Sequence, residues 1–190
     1  EIGFRRVSFG IQDLDLGVQR AINRNQTAEQ SRQAFITSKA IGYESINFDL
    51  VYGLPLQTRK RFRNTLEEIA RLRPDRLAVY SFAHLPWMFK AHEKALREEE
   101  LPKPEEKIGI YLDTISHFTG EGYVMIGMDH FALPEDELAL AVHFLKDGIP
   151  RDISRQEVGS ELDATEGKGE ALCDRTDQER LGQTGNTFKQ

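Results

Sequence analysis

Apolar residues gather in three short runs, Arg6-Val-Ser-Phe-Gly-Ile-Gln-Asp13, Ser45-Ile-Asn-Phe-Asp-Leu-Val-Tyr-Gly-Leu-Pro55 and Arg76-Leu-Ala-Val-Tyr-Ser-Phe-Ala-His-Leu-Pro86, each ending in polar or turn-forming residues. Runs of this length bounded by turn signals predict strands. The second holds Ile, Phe, Leu and Val with little polar alternation, which predicts a parallel strand covered on both faces. Between the runs the pattern becomes helical. Asp15 to Ile22 predicts a short helical turn. Thr27 with Gln30 three residues on predicts a capping box, Ala34, Phe35, Ile36, Ala40 and Ile41 supply apolar helix positions, and Gly42 suits the exit. Phe62, Leu66, Ile69 and Ala70 form the apolar stripe of the next helix, which Pro74 stops. A helical region from Trp87 to about Glu100 follows the third strand. Beyond Pro102 and Pro104, Ile108, Tyr111, Leu112, Ile115 and Phe118 predict another helix with these residues on one face. Gly120 and Gly122 end it, and Tyr123 to Gly127 reads as a fourth strand.

Repeated β/α units predict an α/β fold, a parallel sheet or a (β/α) barrel with all strand C-terminal ends on one side. Three or four units do not close an eight-stranded barrel, so the sheet is open or further units lie upstream. This arrangement places Gln12, Asp49 and Ala83 at or near neighbouring strand ends, where a ligand pocket is expected. Beyond about residue 150 large apolar residues become sparse and charged ones frequent, too little to bury for an independent core. Residues 142–190 are therefore expected to be a divergent polar tail without stable structure.

At 190 residues with 39% hydrophobic content, the chain is long enough for one domain with a sizeable core. It begins at Glu1 rather than Met, with a strand close behind, which suggests a cut edge. The net charge of −6, without a lysine- or arginine-rich block, argues against nucleic acid as a partner. No run approaches the length of a membrane span. The single cysteine, Cys173, excludes an internal disulfide and any cysteine-only metal or iron–sulfur site within the chain, and a reducing, cytoplasmic setting is the simplest reading.

Few residues suggest chemistry on their own. Asp49 lies in an otherwise apolar strand, where an unpaired carboxylate is costly, so it either faces a ligand or is hydrogen-bonded by a neighbouring loop. Gln12 is a ligand contact or a turn residue. Arg24 is suited to pairing with a carboxylate, against the alternative of a solvated surface arginine. Tyr52-Gly53-Leu54-Pro55 is a rigid loop in which Gly53 permits close backbone approach. The histidines show no familiar zinc spacing, and adjacent Asp129 and His130 are poorly placed to share a metal. No Gly-rich phosphate loop, Ser-centred elbow or HExxH pattern is present.

Taken in order, RVSFGIQD, INFDLVYGLP, YSFAHLP and GYVMIGMDHFALP resemble oxygen-independent coproporphyrinogen III oxidase of the radical S-adenosylmethionine (SAM) superfamily, over about Arg6 to Ala141. The first two motifs also fit a related haem-chaperone branch, whereas AHLP and IGMDHFA point to the oxidase. The resemblance implies a partial (β/α)6 barrel, a 4Fe-4S cluster and two SAM molecules. By that resemblance Gln12, Arg24 and Asp49 bind the second SAM and Ala83 contacts the first. The implied reaction converts two propionates of coproporphyrinogen III to vinyl groups by oxidative decarboxylation, giving protoporphyrinogen IX. SAM cleavage supplies the hydrogen-abstracting radical, and the protein acts as a monomer with an external electron donor. The family's CxxxCxxC cluster motif belongs to an earlier β/α unit. This chain lacks it, so the chain alone is expected to be inactive.

Overall fold

A strand–helix alternation sets the architecture: β1 (Arg6–Gln12), α1 (Leu16–Ala21), α2 (Ala28–Ala40), β2 (Ser45–Tyr52), α3 (Arg59–Leu72), β3 (Arg76–Ser81), α4 (Pro104–Gly120), β4 (Val124–Gly127), β5 (His130–Ala132) and α5 (Glu137–Asp147). The structure is a computed structural model that describes residues 3–84 and 97–147. Of the expected helical region from Trp87, only a single 3-10 turn at Glu98–Glu100 falls among the described residues. α5 continues regular structure across the 141/142 boundary to Asp147, and the rest of the polar tail lies outside the described residues.

The five strands form one sheet in the order β1-β2-β3-β5-β4. β1, β2 and β3 are parallel neighbours, as βαβ crossovers require. The fourth strand does not extend this parallel series. β4 and β5 form an antiparallel pair, and β5 sits antiparallel against β3, between β3 and β4. Met128, with φ 49°, turns the chain between them. Tyr123 falls just before β4. It is buried, and its hydroxyl donates to the Pro74 carbonyl at 2.7 Å.

Helices α2, α3 and α4 cover one face of the sheet. Ile11, Ile46, Phe48, Leu50, Leu77, Val79 and Phe131 meet Phe62, Leu66 and Ile69 of α3 and Ile110 and Phe118 of α4 in one core. The α3 stripe is the expected one, and its helix ends with Arg73 in the left-handed region. The α4 stripe is phased differently from the sequence reading: Ile110, Thr114 and Phe118 are buried, while Ile108 and Leu112 are exposed. On α2 the reciprocal Thr27–Gln30 capping box is present. Its inward face nevertheless holds Ser31, Phe35 and Ser38, four and three residues apart, and leaves Ile36 and Ile41 exposed.

The other sheet face is polar. On β2, buried Ile46, Phe48 and Leu50 alternate with less buried Asn47 and Asp49, so this strand is apolar on one side only, contrary to the expectation of two covered faces. The start of α5 reaches the N-terminal end of this polar face: Asp136 accepts Arg76 Nε at 2.8 and 3.0 Å, and Glu137 pairs with Arg6 of β1.

Candidate functional site

Register brings the site together. Gly10 of β1 lies opposite Asp49, Asp49 opposite Ala78, and Ala78 opposite His130, so one transverse row crosses four strands. Asp49 is therefore the fifth of eight residues in β2 and not a strand-end residue. Its carboxylate is held within the sheet and not by a loop. Ser8 Oγ donates to Oδ2 at 2.8 Å, and Asn47 Nδ2 donates to Oδ1 at 2.7 Å and to Ser8 Oγ at 2.9 Å. These bonds offset the cost of the charge and fix its orientation.

Gln12 ends β1 with φ 66°, and the Asp13 N–H donates to the Ile11 carbonyl around it at 2.9 Å. This is a three-residue γ-turn in a region that side chains other than glycine rarely adopt. Such strain needs strong local support, and Asp13 provides it. Fully buried, Asp13 accepts from Asp15 N at 2.9 Å, Thr65 Oγ1 at 2.6 Å and Gln57 Nε2 at 2.6 Å. Burial pushes its carboxyl above the usual carboxylate range, and the three donors oppose that rise. Gln57 extends the network to the loop after β2, where its Oε1 accepts Gly53 N at 2.6 Å and Leu54 N at 3.3 Å. Sequence reasoning missed Asp13, although it directly follows Gln12 at the same strand end.

The Gln12 side chain folds back over Gly10. A methyl group at Gly10 would come 2.7 Å from Gln12 Nε2 and 3.8 Å from Arg24 Nη2, so the absence of a side chain leaves room for both. Arg24 arrives from the segment after α1. It donates to the Gly10 carbonyl and to Gln26 Oε1 at 2.6 Å, in place of the carboxylate its chemistry suggested. Its Nε is buried without a partner. Gln12, Arg24 and Asp49 thus gather around Gly10. Ala83 does not join them: it lies two residues past β3 and is exposed, and among the described residues no polar contact links it to the cluster. Phe82 before it donates its N–H to the Tyr52 carbonyl at 2.8 Å, which keeps the exits of β2 and β3 together.

His130 and Tyr80 extend the polar face beyond Ala78, with ring centroids 5.9 Å apart in an edge-on contact. Sequence reasoning weighed His130 only as a metal ligand beside Asp129. The β4–β5 pair brings it onto this face instead.

No family model matches the chain. Among curated proteins it is 47% identical over 141 residues to the oxygen-independent coproporphyrinogen III oxidase of Pseudomonas aeruginosa, covering 74% of this chain and 30% of that protein. It is 48% identical over 139 residues to the Escherichia coli protein of the same name, covering 73% and 30% respectively. A solved structure, the Escherichia coli coproporphyrinogen III oxidase described as a radical SAM enzyme, matches with a TM-score of 0.71 and 47% identity over 73% of this chain and 32% of that one. Over the matched segment, this chain is a homologue of the oxygen-independent coproporphyrinogen III oxidases. The three parallel β/α units and the five-stranded sheet are part of that oxidase's radical SAM fold. The chain spans about 30% of the length of these oxidase relatives.

The residues present do not fit an iron–sulfur cluster. Among the described residues no group of three or more His, Cys, Asp or Glu is placed to hold a metal, and the sequence has one cysteine. The polar groups gathered around Gly10 supply hydrogen-bonding capacity of both kinds: the Gln12 amide offers donor and acceptor, the Arg24 guanidinium offers donors, and the oriented Asp49 carboxylate is an acceptor. Among the described residues no helix is long and apolar enough to cross a membrane.

Proposed function

We propose that this chain is the SAM-binding part of an oxygen-independent coproporphyrinogen III oxidase, which converts two propionates of coproporphyrinogen III to vinyl groups and yields protoporphyrinogen IX. The observation that carries the reading is the convergence of Gln12, Arg24 and Asp49 around Gly10, whose missing side chain leaves room for Gln12 and Arg24, on the sheet face free of helices α2, α3 and α4. Asp49, held by Ser8 and Asn47, accepts from hydroxyl or ammonium groups of the ligand. Arg24 brings a guanidinium held by the Gly10 carbonyl and Gln26 to the same strand position. Gln12 offers both a donor and an acceptor, and its side chain is aimed by the γ-turn that Asp13 supports. Gln12, Arg24 and Asp49 bind the second of two SAM molecules, and the rim at Ala83 contacts the first. When bound, SAM supplies the hydrogen-abstracting radical of the family's chemistry. The contribution of these residues is to bind and orient, which is where a protein's share of cofactor chemistry lies.

The cluster ligands belong to sequence outside this chain, and electrons come from an external donor. Calorimetric titration of the 190-residue chain with SAM tests the site directly. Saturable binding that Asp49→Asn and Arg24→Met each weaken about tenfold or more supports it, as expected for losing a hydrogen bond to a charged group. Binding that neither substitution alters would show that SAM lies elsewhere.

A further inference from the structure

We infer that Lys107 of α4 is a positioning residue: its ammonium fixes the peptide that carries the chain out of β3, and so sets the rim on which Ala83 stands. This rests on the reading of Ala83 as a ligand contact; the clamp itself is read from geometry alone.

Four observations converge on Lys107. Its Nζ donates to the Phe82 carbonyl at 2.6 Å, a short charge-assisted bond to the residue immediately before Ala83. The same ammonium stands 5.8 Å from the ring centroid of Tyr52, and that ring is stacked on Tyr111 of α4 with centroids 5.4 Å apart. The lysine stem lies against Gly53, where a methyl group would come 2.6 Å from Cε and 3.0 Å from Cδ. Gly53 has φ 86°, so glycine here serves both the turn after β2 and the passage of the lysine. Finally, burial lowers the Lys107 pKa below that of a free lysine, as expected for an ammonium packed into protein and not extended into solvent.

The geometry makes the Phe82 peptide a fixed point. Its N–H is bonded to the Tyr52 carbonyl of β2 and its C=O to Lys107 of α4, so the strand exit is tied on both sides. The start of α4 is itself anchored, because Glu106 Oε1 accepts the Arg59 N–H at the start of α3 at 2.8 Å. Beside Lys107 an open cleft of about 280 Å³, lined by Tyr52, Ser81, Pro104, Ile108 and Tyr111, leaves the ammonium accessible from one side. A lysine that were merely solvated would need neither the glycine nor the carbonyl.

The test uses the full 190-residue chain with Cys173→Ser, so that a cysteine at position 107 is the only thiol. Lys107→Cys removes the ammonium, and alkylation with 2-bromoethylamine restores it on a side chain of nearly lysine length. Hydrogen exchange of the Phe82 amide is measured in both forms, alongside the melting temperature and SAM affinity. The unalkylated form should exchange at Phe82 roughly tenfold faster, reflecting the lost charge-assisted bond, and alkylation should return the rate toward that of the parent. SAM affinity should fall and recover in step, while the melting temperature stays close to that of the parent. Equal exchange in the two forms overturns the clamp, and altered exchange with unchanged SAM affinity overturns its role in setting the rim. If the parent chain does not bind SAM, the functional reading of Ala83 falls, and Phe82 exchange still decides whether Lys107 fixes the strand exit.

Discussion

Gly10 and Gln12 show how single residues shape the candidate site. A side chain at Gly10 would occupy the space now shared by Gln12 and Arg24, but the nearest obstacle is the end of a flexible glutamine. Gly10→Ala should therefore leave the urea midpoint nearly unchanged while lowering SAM affinity about tenfold, as Gln12 is pushed from its place. Asp13 should behave in the opposite way. It is fully buried and receives three hydrogen bonds, so Asp13→Ala strands the Thr65 hydroxyl and the Asp15 N–H and leaves the Gln57 amide with only the Val51 carbonyl. Urea denaturation should show a loss of about 2–3 kcal/mol. The candidate residues Gln12, Arg24 and Asp49 were legible as polar groups near predicted strands, but their partners were not. Arg24 bonds a backbone carbonyl 14 residues away, and nothing in the local sequence states that.

Among the elements, the helices with strong local signals were read correctly. The Thr27–Gln30 box and the Phe62, Leu66, Ile69 stripe depend on residues within one or two turns, so the sequence states them directly. The phase of α4 was not legible, because Ile108, Leu112 and Ile110 are equally apolar and only packing against α3 and the sheet decides which of them is buried. The α3–α4 pairing also has an electrostatic seam. Arg59 donates to Asp113 with both Nε and Nη2 at 2.7 Å, and this bond holds the Asp113 carboxyl below its ordinary value. A lowered carboxylate pKa contributes stability that is present above the unfolded value and lost as pH falls through the folded one. The Arg59 side chain is half exposed, which screens the pair, so Asp113→Asn should cost under about 1 kcal/mol at neutral pH. That deficit should close as urea titrations are taken below pH 3.8.

For the molecule as a whole, the parallel β1-β2-β3 series follows from three apolar runs separated by helical sequence, and it was legible for that reason. The insertion of β5 beside β3 was not. A three-residue strand carries too little pattern to be seen, and its place depends on long-range pairing of Leu77 with Phe131. The insertion matters because it completes the row Gly10, Asp49, Ala78, His130 on the polar face. The proposed role of this face is to serve as the SAM-binding part of a coproporphyrinogen III oxidase. The most direct measurement replaces the matching segment of the Escherichia coli oxidase with residues 6–141 of this chain and assays the hybrid anaerobically with SAM, a reductant and coproporphyrinogen III. The hybrid should form protoporphyrinogen IX, and Asp49→Asn in the transplanted segment should reduce that formation at least tenfold. A folded hybrid that carries its cluster and yet forms no product, or whose turnover is indifferent to Asp49, would contradict that role.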